Sequence, residues 1–315
     1  MNKFLKCLFL IVISISVFSC SNDTEKQKHS DTPISGEILI VADESYQPLI
    51  QVQIDTFHQL YKYANITVRY LPEAEVFNQL MNNDSVRLAI TARSLNKQEE
   101  EHFGNIKVIP RETRIAVDAV AFVISRSNPD TAIRYEQLRG ILNGTYKTWN
   151  QLNAKSNIDS VQVVFDRNGS STSRFLKENF LQSETIPNNW FAINSNNQLI
   201  EYVSKSAGAI GVIGVNWISD KDDPEVNDFL EKVNVVQVSP PDTSDAKLEF
   251  YKPFQAYIAL KKYPLLRDVK IISREGRNGL GTGFAAFVAG DQGQRLVRLM
   301  GMLPATMPIR IVKIN

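Results

Sequence analysis

The sequence predicts an α/β protein in which helices cover a mainly parallel β-sheet. Strand-like and helix-like segments alternate where folding begins: strands at 37–42, 66–70 and 86–90 enclose helices at 49–61 and 76–81. This β-α-β-α-β order is typical of α/β layers. The length of 315 residues, with 43% hydrophobic and 22% charged side chains, suits one large or two medium globular domains.

A long apolar run at 115–124 interrupts this alternation. It contains a single charge, Asp118, and its length suits a strand that crosses from one lobe to another. The turn-rich segment 239–245 is the candidate for a second connection between lobes. Beyond the run, the pattern predicts helices at 135–142, 172–181, 198–203 and 282–300, and strands at 161–165, 209–213, 233–238, 254–260, 269–272 and 309–314.

Charge and cysteine content exclude several classes of function. A formal charge of +1 lacks the basic excess of a nucleic-acid-binding protein. Two cysteines exclude a disulfide-rich scaffold, and with three histidines they leave little for a zinc site, so we expect no metal and no cofactor. Neither His58 nor His102 has a neighbouring triad or ligand set, so both are expected to be structural or solvated.

The first 20 residues have the pattern of an export signal. Lys3 and Lys6 precede the apolar run 8–18, which is too short to cross a bilayer. The sequence at 17–20 resembles a bacterial lipobox, which predicts a signal peptide over 1–19 and a lipidated Cys20. A plain signal peptide cut near Ser19 is the alternative. Residues 20–35 would then form the lipidated end and a flexible tether.

The segment 161–175 carries the clearest candidate for binding chemistry. A strand ends at Phe165, a small-residue loop follows, and a helix begins near Thr172. Free N–H groups at a helix start, together with the hydroxyls of Ser170 and Ser171, can hold an oxyanion without a metal. The alternative is that Ser170 or Ser171 simply caps the helix.

This loop resembles the Gly-Ser-Gly-Thr loop of PstS-like periplasmic phosphate-binding proteins. Other stretches resemble the same family at the expected intervals. They are the segments 91–95, 118–123 with Asn128-Pro129, 137–141 with Trp149, 208–211 and 263–265. The match covers most of residues 36–315, and its specificity lies in the whole set of motifs.

The resemblance implies a two-lobed type II periplasmic-binding fold, with a mainly parallel sheet flanked by helices in each lobe and a hinge between them. Lobe I would comprise 36–117 and 245–315, and lobe II 118–244. The implied protein is an exported, monomeric, non-enzymatic solute-binding lipoprotein that binds phosphate or a similar oxyanion for the membrane component of an ABC transporter. The expected ligand-binding residues are Ser45, Arg93, Arg167, Asn168, Ser170, Ser171, Thr172 and Arg174. Of these, the hydroxyls would donate hydrogen bonds, the arginines would supply charge, and Asn168 would orient the loop.

Several acidic residues depart from the family pattern. Glu44, Glu73 and Glu75 occupy loops that the family fills with Gly, Ser and Thr, and Asp166 stands where the family often has Arg. Asn168 stands where the family often has Asp. Because a carboxylate about 5 Å from a dianion opposes binding by several kcal/mol, these acids must be neutralised or lie elsewhere, or the ligand is not phosphate.

Three arginines are candidates to neutralise the acids: Arg93, Arg111 and Arg114. The alternative function keeps the fold in a sensory or interaction protein that has lost phosphate binding. A hydrolase that uses Ser170 would need a His or carboxylate within hydrogen-bond reach of that hydroxyl.

Overall fold

Strands and helices alternate along the chain in the computed structural model, which describes residues 30–158, 160–181, 185–219, 224–241, 244 and 248–306. The strands are β1 (Ser35–Asp43), β2 (Tyr63–Leu71), β3 (Val86–Thr91), β4 (Arg111–Ser125), β5 (Ala132–Ile133), β6 (Gln162–Phe165), β7 (Trp190–Ala192), β8 (Ala209–Gly214), β9 (Val233–Val235), β10 (Gln237–Val238), β11 (Leu266–Ser273) and β12 (Leu303–Pro304). The helices are α1 (Gln47–Leu60), α2 (Glu73–Asn82), α3 (Lys97–Asn105), α4 (Tyr135–Leu142), α5 (Ser171–Phe180), α6 (Asn196–Lys205), α7 (Pro224–Lys232), α8 (Gln255–Ala259), α9 (Leu280–Ala289) and α10 (Asp291–Leu299).

One sheet connects most of the strands, in the order β2-β1-β3-β11-β4-β8-β6-β7, with β9 and β12 also paired to β4. Parallel pairs form both flanks, where β1 joins β2 and β3, and β6 joins β7 and β8. The central pairs that involve β4 and β11 are antiparallel. The sheet is therefore parallel where helices connect successive strands and antiparallel where the chain crosses its centre.

The fifteen-residue strand β4 belongs to both halves of this sheet. Its first part, up to Ala119, pairs with β11, and its second part, from Val120, pairs with β8. Residues 115–124 are buried throughout, which explains the apolar run. The hydroxyl of Tyr263 donates to the carbonyl of Val120 at 2.7 Å, where the two parts of β4 meet. Strand β4 thus connects the two halves of the sheet through buried residues.

Three predicted segments differ from the structure. Within 254–260, where the sequence predicted a strand, Gln255–Ala259 form helix α8, since Gln255 and Ala256 favour a helical turn. A run this short fits both the helical spacing of apolar residues and the alternating spacing of a strand. The predicted helix 282–300 is two helices, because the backbone at Gly290 is extended. The predicted strand 233–238 is divided into β9 and β10.

Several predictions concern residues that the structure does not describe. The signal peptide, Cys20, most of the tether and the strand 309–314 lie outside the described residues. Within the described part of the chain, every helix is too short or too polar to cross a membrane. The lobe boundaries, 36–117 with 245–315 against 118–244, remain a prediction.

The glycines of two helices differ sharply in their surroundings. A Cβ on Gly283 in α9 would lie 1.8 Å from the carbonyl oxygen of Pro33, whereas a Cβ on Gly104 in α3 would meet nothing within 4 Å. We expect Gly283→Ala to lower the free energy of unfolding by about 1–3 kcal/mol through overpacking. Gly104→Ala is the matched control, and we expect it to be neutral or stabilising by up to about 1 kcal/mol. Urea denaturation of both variants measures the change in the free energy of unfolding. Equal changes in the two variants would contradict the close packing of Gly283 against Pro33.

Candidate functional site

Two chain segments that follow strands form the candidate site. After β1, residues 44–46 make one turn of 3₁₀ helix, and the side chain of Asp43 accepts a hydrogen bond from the Ser45 N–H at 2.8 Å. After β6, the loop 166–170 leads into α5, with Gly169 at a φ of +79°. Strands β1 and β6, each of which pairs in parallel with its neighbours, both end here, and the ends of such strands are where α/β sheets usually bind ligands.

Three buried hydroxyl groups meet between these segments. The Ser45 hydroxyl lies 3.3 Å from that of Thr172 and 3.4 Å from that of Ser171. Ser45 also donates to the carboxylate of Asp166 at 3.3 Å. The structure therefore brings together Ser45, Ser171 and Thr172 at the N-terminus of α5, as the sequence analysis proposed.

Ser170 has the capping role that the sequence analysis kept open. Its hydroxyl accepts from the Ser173 N–H at 3.2 Å, which satisfies one free donor of α5. Burial raises the pKa of Asp166, and a hydrogen bond with the Ser170 side chain opposes that shift, so a carboxylate is within reach of this hydroxyl. This is the feature that a hydrolase would need, but a Ser–Asp contact lacks the imidazole or amine that activates a serine nucleophile.

A buried arginine, which the sequence analysis missed, completes the cluster. Arg267 in β11 pairs with Asp118 in β4, with Nε 2.8 Å from Oδ2, and the two residues stand opposite each other in the sheet. Its Nη1 donates to the Ser171 hydroxyl at 2.8 Å and reaches the Thr172 hydroxyl at 3.4 Å. Its Nη2 is buried without a hydrogen-bond partner among the described residues.

Arg267 lies against the end of β8 and the side chain of Tyr46. Its guanidinium carbon is 5.1 Å from the centroid of the Tyr46 ring. A Cβ on Gly214, the last residue of β8, would lie 3.4 Å from Nη2 and 3.5 Å from Asp118 Oδ2. The side chains of Asn216 and Trp217, which follow β8, both donate to the Ser45 carbonyl at 2.9 Å. The ends of three strands therefore converge on one cluster.

The other predicted arginines are engaged by acidic residues. Arg93 forms two bonds of 2.7 Å to Glu99 and stacks 3.5 Å from the centre of the Phe77 ring. Arg174 pairs with Glu73 and Glu178. Among the hydrogen bonds of the described residues, none joins Arg93 or Arg174 to the hydroxyl cluster.

The remaining two predicted residues lie at the surface of the loop. Arg167 is half exposed, donates to the Asn194 carbonyl at 2.7 Å and lies 3.3 Å from Glu44. Asn168 is exposed at the tip of the loop. Neither side chain is buried with the three hydroxyls.

The acidic residues that departed from the family pattern have three different surroundings. Glu73 is buried, pairs with Arg174 and accepts from the Ala92 N–H at 2.9 Å. Glu44 pairs with Arg167. Glu75 is bonded by Asn78 and Gln79 on its own helix. Two of the three are thus neutralised by arginines, although not by the arginines that the sequence analysis considered.

Burial raises the pKa of several carboxyl groups here. The pKa of Asp43 is raised to about 6 by burial and by the nearby charge of Glu73, against the opposing effect of Arg267. The pKa of Glu44 is raised to about 7 by burial and by Asp166, against the effect of Arg167. Burial also raises the pKa of Asp166. Asp43 and Glu44 therefore take up protons close to neutral pH.

His58 and His102 both make backbone contacts, as expected for structural residues. His58 Nε2 accepts from the Ile66 N–H at 3.0 Å, and His102 Nε2 lies 3.2 Å from the Met81 carbonyl. The described residues hold no group of three or more His, Cys, Asp or Glu side chains arranged to bind a metal ion.

A family model for the PBP superfamily domain matches residues 27–292. The chain belongs to the PBP superfamily. It is 24% identical over 313 residues to the phosphate-binding protein PstS of Borreliella burgdorferi, which covers 96% of this chain and 99% of that protein.

Solved structures show the same fold. A provisionally assigned phosphate ABC transporter substrate-binding protein of Clostridium perfringens, solved with bound phosphate, has a TM-score of 0.70 at 19% identity and covers 86% of this chain and 100% of that one. An ABC-type phosphate transport receptor of Vibrio cholerae has a TM-score of 0.63 at 20% identity. The match covers 85% of this chain and 100% of that one. The predicted two-lobed periplasmic-binding fold is confirmed.

The raised pKa values predict how stability changes with pH. A carboxyl whose pKa is higher in the folded than in the unfolded state binds its proton more tightly when folded, so folding stability falls as pH rises between the two values. For Glu44 that interval runs from the ordinary 4.5 to about 7. We expect Glu44→Gln to stabilise the fold at about pH 8 by about 1–3 kcal/mol and to have little effect near pH 5.

Thermal unfolding of wild type and Glu44→Gln across this pH range tests that expectation. Glu201→Gln is the control, because Glu201 is an exposed residue of α6 that pairs with Lys205. A difference between wild type and Glu44→Gln that does not grow with pH would contradict the buried position of Glu44.

Proposed function

We propose that this protein is an extracytoplasmic solute-binding protein that captures phosphate, or another small oxyanion, and delivers it to an ABC transporter. The observation that carries the proposal is the Nη2 of the buried Arg267, which has no hydrogen-bond partner among the described residues and lies beside the hydroxyls of Ser171 and Thr172. Arg267 supplies positive charge, and the hydroxyls supply directed hydrogen-bond donors. These groups would bind the anion without catalysing a reaction.

The start of helix α5 adds to the attraction for an anion. The first N–H groups of a helix have no intrahelical partner, and the helix dipole places about half a positive charge there. Ser171 and Thr172 are the first two residues of α5, so their backbone donors and their hydroxyls are close together. Binding then depends on local donors, since the whole chain is nearly neutral, with a formal charge of +1.

Closure of two lobes around the ligand would use the connections seen in the sheet. The proposed lobe I, 36–117 with 245–315, includes Ser45 and Arg267, and the proposed lobe II, 118–244, includes Ser171 and Thr172. A backbone contact spans the two, from the Ala74 N–H to the Gly169 carbonyl at 3.1 Å. Strand β4 passes from one to the other and would act as part of the hinge.

The relatives favour the transport role over the sensory alternative. The similar protein of B. burgdorferi is named as a phosphate-binding protein, and the similar structure of V. cholerae as a phosphate transport receptor. We therefore propose phosphate as the first ligand to test.

Removal of one hydroxyl tests the proposed site. We expect Ser171→Ala to weaken phosphate binding about tenfold to a hundredfold, because a hydrogen bond to a charged ligand contributes about 1.5–3 kcal/mol. Ser173→Ala is the matched control: the Ser173 hydroxyl is also buried on α5, but it donates to the Ser170 carbonyl at 3.0 Å. Isothermal titration with phosphate compares both variants with wild type.

Two results of that titration would oppose the proposal. If the folded, ligand-free wild type gives no heat with phosphate at millimolar concentration, the phosphate assignment is wrong while the fold stands. If Ser173→Ala weakens binding as much as Ser171→Ala, the anion does not sit at the hydroxyl cluster.

Export and anchoring form a second part of the proposal. The basic start, the apolar run 8–18 and Cys20 support a signal peptide over 1–19 and a lipid anchor that holds the protein, as a monomer, in the cell envelope. We expect Cys20→Ala to move the protein from the membrane fraction to the soluble extracytoplasmic fraction after expression of the full precursor. Intact-mass measurement of the purified wild type should show acyl chains on Cys20, and a wild-type protein that is unmodified and soluble would contradict the anchor.

A further inference from the structure

One end of the sheet carries a surface that the candidate site does not use. Strand β1 is parallel to β2 and β3, and β11 is antiparallel to both β3 and β4, so β1, β2, β3 and β4 all begin at this end. The candidate site lies at the opposite end, because the 3₁₀ turn that holds Ser45 follows the last residue of β1. A partner bound at the first end is therefore separate from the proposed phosphate site.

Exposed apolar side chains gather at this first end. Among the described residues, eleven large apolar side chains are exposed, and five of them flank the starts of β1, β2 and β4. We call these five residues the basal surface: Ile34, Leu60, Tyr63, Ile106 and Ile109. Ile109 is the most exposed of them, at 86%. Single exposed apolar residues are ordinary, but a group of them marks a surface that contacts another body.

Cations alternate with these apolar residues along the chain. Lys62 and Lys107 each lie between two residues of the basal surface, and Arg111 follows Ile109 by two positions. All three cations are exposed, and none of them forms an ion pair with another described residue. Three carboxyl groups at the same end are already paired with arginines, those of Asp31, Asp84 and Glu275. The three cations therefore remain available to an external anion.

The turn that carries Ile106 and Ile109 has an unusual backbone. Lys107 follows the end of α3 with a φ of +56°, in the left-handed region that favours glycine. Its N–H donates to the Gly104 carbonyl at 3.1 Å, so this conformation closes the helix. A lysine at this position strains the backbone more than glycine would, and it places a cation between two exposed isoleucines.

The segment that leads to the proposed lipid anchor joins the fold at this end. Asp31 Oδ2 lies 3.4 Å from Arg87, at the start of β3, and 2.8 Å from Arg277. Asp31 Oδ1 accepts from the Leu280 N–H at 2.9 Å. Cys20 precedes Asp31 by eleven residues, which reach at most about 40 Å when fully extended. Acyl chains on Cys20 would therefore keep the basal surface close to a bilayer, at a high effective concentration.

We propose that the basal surface docks on an anionic lipid bilayer. Lys62, Lys107 and Arg111 bind the headgroup phosphates, and the exposed apolar side chains enter the interfacial layer, where tyrosine and aliphatic groups are both stable. This inference rests on the proposed function only for its anchored, extracytoplasmic location. Docking in this orientation turns the candidate site away from the lipid, so that the site stays accessible to solute.

Sedimentation with lipid vesicles tests the surface without the anchor. The protein is the mature chain, residues 20–315, with Cys20→Ala so that no acyl chain contributes. We expect it to sediment with vesicles of phosphatidylglycerol and phosphatidylethanolamine, and much less with vesicles of phosphatidylcholine alone. Because the binding of headgroups is electrostatic, salt at about 0.5 M should release most of the bound protein.

Two double variants compare the basal surface with similar residues elsewhere. Lys107→Asn with Ile109→Ser removes a cation and an apolar side chain, and asparagine tolerates a positive φ. Lys261→Asn with Leu260→Ser is the matched control, because Lys261 also has a positive φ, of +54°, and Leu260 is 49% exposed. These two residues precede β11, which begins at the opposite end of the sheet. We expect the first variant to lower the partition coefficient on anionic vesicles at least about tenfold, and the control to leave it unchanged.

A single substitution gives an independent test on another element. Arg111 is the exposed first residue of β4, so Arg111→Gln removes a cation without touching the turn at Lys107. We expect it to lower the partition coefficient about fivefold. Thermal unfolding shows that each variant is folded, and phosphate titration of each should match wild type, because the candidate site is at the other end of the sheet.

Four outcomes would overturn the docking surface. The first three are no sedimentation with anionic vesicles, equal sedimentation with phosphatidylcholine, and equal losses in the two double variants. The fourth is self-association of the lipid-free chain that Lys107→Asn with Ile109→Ser abolishes, which would assign the surface to a second copy. Phosphate titration and the mass measurement of Cys20 are separate experiments, so failure of the basal surface leaves phosphate capture and the anchor standing.

Discussion

The ion pair between Arg267 and Asp118 is the interaction on which both the fold and the candidate site depend. The two residues face each other on neighbouring strands β11 and β4, and their side chains are 3% and 0% exposed. Two charges buried this deeply stay in place only when each satisfies the other, and loss of one partner from such a pair costs about 3–5 kcal/mol. The pair therefore fixes the register of the central antiparallel strands. It also directs one edge of the guanidinium toward the Ser171 hydroxyl. The same ion pair that stabilises the sheet thus positions a cation in the candidate site.

The sequence predicted local features well because they depend on neighbouring residues. Helix α4 (Tyr135–Leu142) and strand β3 (Val86–Thr91) follow from their apolar spacing, and the hydroxyl loop before α5 follows from its small residues. The prediction failed for α8 (Gln255–Ala259), since five residues fit both the helical and the extended period. It also joined α9 and α10, since Gly290 changes the backbone direction without changing the apolar pattern.

Arg267 shows why the rest of the site could not be predicted. It lies nearly a hundred positions after Ser171 in the chain, and only the antiparallel pairing of β11 with β4 brings it to the cluster. One signal was present in the sequence: Asp118 is the single charge in the apolar run 115–124. A buried carboxylate requires a cation or a set of donors, and in this fold a distant arginine, Arg267, is the partner. The sequence could state that requirement, but it could not say which arginine meets it.

The position of Arg267 also gives a physical account of the acidic residues that depart from the family pattern. With a cation supplied by β11 and held by Asp118, the loop after β6 no longer has to provide an arginine, and Asp166 is tolerated there. Glu44 and Glu73 are tolerated for a different reason, because Arg167 and Arg174 reach them from the rim. The acids and the buried arginine are therefore parts of one arrangement. Three ion pairs belong to it, Arg267–Asp118, Arg167–Glu44 and Arg174–Glu73, and each joins its charges within a few ångströms, the distance over which charges interact most strongly in a buried site.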